Sequence, residues 1–185
     1  MSEMYVEASP NDYHVLHPRP VYLIVSEGKD GRLNVMSASW VSPIYDDPLL
    51  IAVSIWRGSL THRNIMETGE LTINVLGENH VELAWKAGSE SGAEVDKFKL
   101  LNLKPTPSKY ISTPGLEGVL GFVECVVKEK IPVGESTLFI CESKAIHVDE
   151  SVYEKYGWNL SKAKILLHLA GRSFTTTGNL IRASK

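Results

Sequence analysis

From Val21 to Leu169 the chain is dominated by short, β-branched apolar runs, and no long helical pattern lies between them. VYLIVS (21–26), a more polar run at 33–41, LLIAVSI (49–55) and ELTINVL (70–76) are followed by two longer stretches at 119–131 and 136–148. A parallel sheet needs crossovers of a dozen or more residues, usually helical. The helical segments available, 59–68 and His80–Ala87, are too short and too few for that. Strands linked by hairpins, with few helices between them, define a mainly β protein. An antiparallel β-barrel is the closed form such strands take.

Local signals agree. Lys29-Asp30-Gly31 closes a hairpin, because Asp-Gly readily takes positive φ. Ser59 or Thr61 caps the first helix and Gly69 stops it. Pro43 and the Asp46-Asp47-Pro48 run read as a loop, and 49–55 as a strand buried on both faces. In 119–131, Val119, Val123, Cys125 and Val127 form one apolar face. Glu124, Lys128 and Lys130 form a wet one, with Pro132-Val133-Gly134 as the turn. The segment 88–97 is a polar loop, 105–118 an irregular connection, and Ile165–Leu169 a last short strand after a Tyr153/Tyr156/Trp158 stretch.

At 185 residues the chain suits one domain over 1–185, with 1–18 as a polar N-terminal extension ending in His-Pro-Arg-Pro. A net charge of −3 gives no footprint for nucleic acid or an anionic membrane. No apolar run approaches the ~20 residues of a membrane helix, and the N-terminus lacks the pattern of a signal peptide. A cytoplasmic location follows, with Cys125 and Cys141 as buried free thiols.

Familiar catalytic motifs are missing: there is no G-x-G-x-x-G after a strand, no P-loop and no G-x-S-x-G elbow. His14 and His17 lack the converging partners of a metal site. The informative stretch is Asn34–Thr61. Small residues Ser37, Ala38 and Ser39 lead to Trp40, a surface suited to a flat ring. Arg57, Ser59, Thr61 and His62 crowd a strand-to-helix junction, where free amides and a guanidinium make an anion site. The plainer reading of that cluster, a helix cap beside a solvated arginine, fits the composition equally well. By composition Lys97 is a solvated surface lysine.

These residues also form a pattern. Arg19-Pro20-Val21, Asp30-Gly31, Asn34, Met36-Ser37, Ser39-Trp40, Pro48-Leu49, Thr61-His62, Ile65, Gly69-Glu70 and Asn74-Val75 occur in order. Asp96-Lys97-Phe98 and Gly171-Arg172-x-Phe174 follow them. Over about 19–182 the chain resembles the flavin reductase-like family of FMN-binding split barrels. The resemblance implies a mainly β fold: a split antiparallel barrel with a few short helices, forming a homodimer with one FMN per subunit. Asn34, Met36, Ser37, Ala38, Ser39 and Trp40 would lie along the isoalloxazine and ribityl chain. Ser54, Arg57, Ser59, Thr61 and His62 would lie near the phosphate end. Lys97 would approach the flavin or its phosphate, and Phe174 would cover the ring. The implied activity is NAD(P)H-dependent flavin reduction, with NADH or NADPH as donor. The alternative is a flavoredoxin-like electron-transfer flavoprotein reduced by a protein partner.

Overall fold

A computed structural model describes residues 4–155 and 157–184. Residues 1–3 of the N-terminal extension, Tyr156 and Lys185 lie outside the described residues. The main sheet has seven antiparallel strands: β1 Tyr22–Glu27, β2 Leu33–Ala38, β3 Val41–Asp46, β4 Leu49–Trp56, β5 Glu70–Val75, β6 Gly121–Val133 and β7 Ser136–Val148. Their order is β2-β1-β5-β6-β7-β4-β3. The two edge strands, β2 and β3, are therefore consecutive in sequence, joined only by Ser39 and Trp40. Six inter-strand steps of about 4.8 Å would put the edges of a flat sheet nearly 30 Å apart. Two linking residues span only about 10 Å. The sheet has to curl until its edges meet.

Where the curl closes, the chain changes partners. Ala38 still pairs with Tyr22 of β1, whereas Val41 pairs with Val53 of β4. The expected single strand over 33–41 is thus broken at Ser39-Trp40, and the expected loop around Pro43 is strand β3. Pro43 is tolerated because β3 is an edge strand and needs no amide on its outer side. Strand β4 buries only alternate residues, Ile51, Val53 and Ile55, so it is not covered on both faces as expected. Strand β1 is: Ile24 enters the barrel core with Val53, Leu71 and Phe139. Leu23 and Val25 face outward into a second core with Val35, Leu76, Ala84, Ala87 and Leu166.

Helix α1 (Leu60–Thr68) carries the expected signals. Ser59 caps it through a 3.1 Å bond from the His62 amide, and Gly69 ends it at φ 73°. It sends Ile65 into the barrel core. Helix α2 (Val81–Ser89) buries Ala84 and Ala87. With Gly88 these residues form a small-residue face that lets the helix lie close on β2. A Cβ on Gly88 would stand 3.3 Å from that of Ser37. A short helix α3 (Lys97–Leu100) follows, and β8 (Leu166–Ala170) and β9 (Ser173–Thr176) form a hairpin that also pairs with Arg19–Pro20. Residues Tyr13–Leu16 of the N-terminal extension form a 3-10 turn.

Two expectations about β6 are corrected. The strand runs through Val133, so its turn is Gly134-Glu135, and Glu124 is not on a wet face but wholly buried. Its carboxylate accepts bonds from the amides of Lys109 (2.6 Å) and Tyr110 (2.8 Å), tying the 105–118 segment to the sheet. His147 on β7 meets the same carboxylate at 2.6 Å. The cysteines are free and buried. Burial pushes the Cys141 thiol up to about 12 and raises that of Cys125 as well, so neither supplies a thiolate near neutral pH.

Candidate functional site: a two-chambered cleft beside the barrel closure

A cleft runs between β2 and the start of α1 on one side and α2 with its following loop on the other. It has two adjoining chambers that share Ser37, Gly88 and Ser89. The outer one, about 310 Å³, is walled by Asn34, Met36, Trp56, residues 58–61, the 87–92 turn and Lys97. The inner one, about 380 Å³, is walled by Ser37–Ser39, Val21, Ala84, Trp85, Tyr13, His168, Gly171 and Phe174. The outer chamber is more polar, and the inner one carries the rings of Tyr13, Trp85, His168 and Phe174.

The outer end carries the donors an anion needs, with the Glu90 carboxylate the one opposing charge on its wall. The first amides of α1 have no partner within the helix, and the side chain of Ser59 caps only that of His62. Lys97, read from composition as solvated, is only 4 % exposed. Asp96 starts α3 by accepting from the Lys99 amide, and this places Lys97 with its Nζ 2.7 Å from the Ala87 carbonyl. An ammonium has three donors, and among the described residues no other bond or ion pair uses the remaining two. Burial lowers its pKa, with Glu90 pulling the other way. Asn34 donates to Thr61 Oγ1 at 2.7 Å, locking β2 to α1. The loop after α2 lies directly on the Asn34 amide, and a Cβ on Gly92 would stand 2.0 Å from Asn34 Oδ1. Only glycine permits that approach.

Of the residues singled out in the sequence, Asn34, Met36, Ser37, Ala38, Ser39, Ser59, Thr61, Lys97 and Phe174 line the cleft. The other four lie off its walls. Trp40 stands edge-on to Tyr13 at 5.6 Å, and its carbonyl accepts from the Ser54 amide across the barrel closure. Arg57 turns to the β6–β7 turn, bonding the carbonyls of Gly134 and Ser136. His62 Nε2 meets Thr137 Oγ1 at 2.9 Å. Burial, aided by Arg57 and Lys130, lowers the His62 pKa. Sequence reasoning missed Trp56, Trp85, His168 and the 88–92 turn. The small-residue spacing Ala84, Ala87, Gly88 was the available signal, since it marks the helix face that presses against a strand.

A curled antiparallel sheet closed between its edge strands, with a two-chambered cleft against β2, defines a class of split barrel, and the comparisons place the chain within it. Residues 14–177 match the family described as flavin reductase like domain, and the chain belongs to that family. An uncharacterized protein of Archaeoglobus fulgidus is 34% identical over 91% of this chain and 94% of its own. Flavoredoxin of Desulfovibrio vulgaris (Miyazaki F) superposes with a TM-score of 0.86 at 28% identity, covering 97% of both chains. Nitrilotriacetate monooxygenase component B from Bacillus cereus does so at 0.88 and 28%, covering 98% of this chain and 100% of that one. The fold is the mainly β split barrel expected from the sequence.

Proposed function

We propose that this chain binds FMN in the two-chambered cleft and acts as an NAD(P)H-dependent flavin reductase. The observation that carries the reading is Lys97: a buried ammonium with spare donors, set beside the free amides of α1, suits a phosphate monoester. The ring would then occupy the Ser37–Ser39 side, near Phe174, and the ribityl chain would pass Ser37, Gly88 and Ser89. When bound, FMN supplies the redox chemistry, accepting hydride from NADH or NADPH and passing electrons to an acceptor. The protein's share is to bind and orient. Backbone and hydroxyl groups of Ser37–Ser39 supply polar contacts along one edge of the ring, and Lys97 with the α1 amides anchors its tail. No general base is needed for such a transfer, in keeping with the absence of a triad motif.

The second reading, an electron carrier that exchanges electrons with a protein partner, draws on the similarity to flavoredoxin. One experiment separates the two. The purified protein should show flavin absorbance, and anaerobic addition of NADH or NADPH should bleach it promptly. Bands that persist until a reduced protein partner is supplied would replace the reductase with the carrier. Failure to take up FMN at all would overturn both.

A homodimer belongs to the same proposal. Ile44, Tyr45, Trp56 and Val133 are more than half exposed, and Trp56 and Val133 flank Ser136 at the same level of adjacent strands. Exposed apolar residues at both ends of β4, Ile44 and Tyr45 beside Leu50 and Val133 near Trp56, suit a second copy laid along the strand. Sedimentation velocity should show a dimer that Ile44→Asp combined with Val133→Asp converts to monomer. A monomeric wild-type protein would remove the dimer from the proposal. Among the described residues no helix is long and apolar enough to cross a membrane.

A further inference from the structure

We infer that Arg172 is the contact for the pyrophosphate of a nicotinamide dinucleotide whose nicotinamide end enters the inner chamber. The inference rests on the reductase reading above and adds a residue and a ligand group to it. The inner chamber is built for a planar ring. His168 and Phe174 stand 5.2 Å apart between ring centres, Trp85 and Tyr13 also line the chamber, and no carboxylate does. With the flavin ring lying along Ser37–Ser39, a chamber of about 380 Å³ has space left for the nicotinamide end stacked on that ring but not for a whole dinucleotide. The remainder has to leave through the mouth.

Arg172 stands at that mouth. It follows Gly171, which lines the chamber and turns the β8–β9 hairpin at φ 51°. Its guanidinium lies over the Trp85 ring, 5.4 Å from the centroid. Among the described residues it has no ion pair and no hydrogen bond, and it is solvent-exposed. An unpaired arginine stacked on an aromatic face keeps its fork of donors free and already oriented, the arrangement that recognises phosphate oxygens. The phosphate anchor of the flavin is at the opposite, outer end, at Lys97, so Arg172 serves a different anion. In a dinucleotide the pyrophosphate is one ribose away from the nicotinamide, whereas the 2′-phosphate of NADPH is on the distal adenosine. A residue at the chamber mouth therefore meets the group that NADH and NADPH share.

The test is Arg172→Gln in the FMN-loaded protein. Dissociation constants for NAD⁺ and NADP⁺ are measured by titration calorimetry, and KM for NADH and NADPH by flavin bleaching. Both nucleotides should bind about tenfold more weakly, by the same factor, as expected for loss of one charge-assisted contact. FMN content should be unchanged. Unaltered affinity for both nucleotides would overturn the inference while leaving the reductase reading intact. A loss confined to the 2′-phosphorylated nucleotide would also overturn it, since it would place Arg172 on the adenosine end. If the wild-type protein binds and oxidises neither nucleotide, the reductase reading itself fails and the inference falls with it.

Discussion

Replacing Lys97 by Met should weaken FMN retention about a hundredfold, roughly 2.7 kcal/mol, while leaving the flavin-free protein at least as stable as the wild type. The two halves of that expectation have one cause. A buried ammonium that spends one donor on the Ala87 carbonyl has lost hydration without full replacement, which is a standing penalty in the flavin-free fold. Met fills similar space without charge. The sign with pH follows from the same fact. Burial, opposed by Glu90, depresses the Lys97 pKa below its ordinary 10.5. Between the depressed value and 10.5 the unfolded chain binds the extra proton, so stability of the flavin-free wild type rises with pH through that window. Lys97→Met should lack this rise. Urea unfolding of both flavin-free proteins at pH 7 and pH 10, with an FMN titration, checks all three points. A variant that unfolds more easily yet binds FMN normally would make Lys97 a structural residue.

Glu124→Ala should cost about 3–5 kcal/mol, the range for stripping a buried charged network of one partner. Three donors converge on this carboxylate: two backbone amides of the 105–118 segment and the His147 ring. With the side chain gone, the Lys109 and Tyr110 amides have no acceptor and the segment loses its tie to β6. Glu124→Gln keeps the volume but turns an NH₂ toward one of those donors, so it should recover only part of the loss. Burial raises the Glu124 pKa, but the Lys109, Tyr110 and His147 bonds outweigh it and the net direction is downward. A carboxylate depressed in the fold contributes its full stability above the unfolded value of about 4.3 and loses it as pH falls through the folded one. The gap between wild type and Glu124→Gln in urea midpoints should therefore narrow below about pH 4. A gap that widens there would overturn this account.

How much of this was legible in the sequence depended on how local the deciding contacts are. Helix α1 was readable to within a residue because Ser59 and Gly69 act on their own neighbours. The strand that walls the cleft was readable through Ser37–Ser39, where small polar residues sit in a setting that otherwise favours bulk. Strand β3 was not, since Pro43 and Asp46-Asp47 carry loop chemistry and only the distant partner β4 makes them an edge strand. Glu124 followed the alternation of its strand faithfully, yet the face it occupies is covered by a segment fourteen or fifteen residues earlier. Lys97 is the same lesson in the site. Nothing in Asp96-Lys97-Phe98 says that α2 lies over it. Arg57 and His62, adjacent to the cleft in sequence, are drawn away by the hairpin turn and by Thr137.

The sheet order has a further consequence during synthesis. Strands β2-β1-β5 form one block and β4-β3 another, and in the finished sheet they are bridged by the hairpin β6–β7. That hairpin is complete only at Val148. At about 5–20 residues per second, a chain leaving the ribosome waits some 4–15 s between the end of β5 and the end of β7. Throughout that interval the inner edges of β5 and β4 are unpaired, and β4, Leu49–Trp56, is apolar at nearly every position. The nascent chain is therefore most prone to aggregate while its second half is still being made. A holdase that grips the LLIAVSIW segment during those seconds would raise the yield of folded protein, and one recruited only after release would come too late.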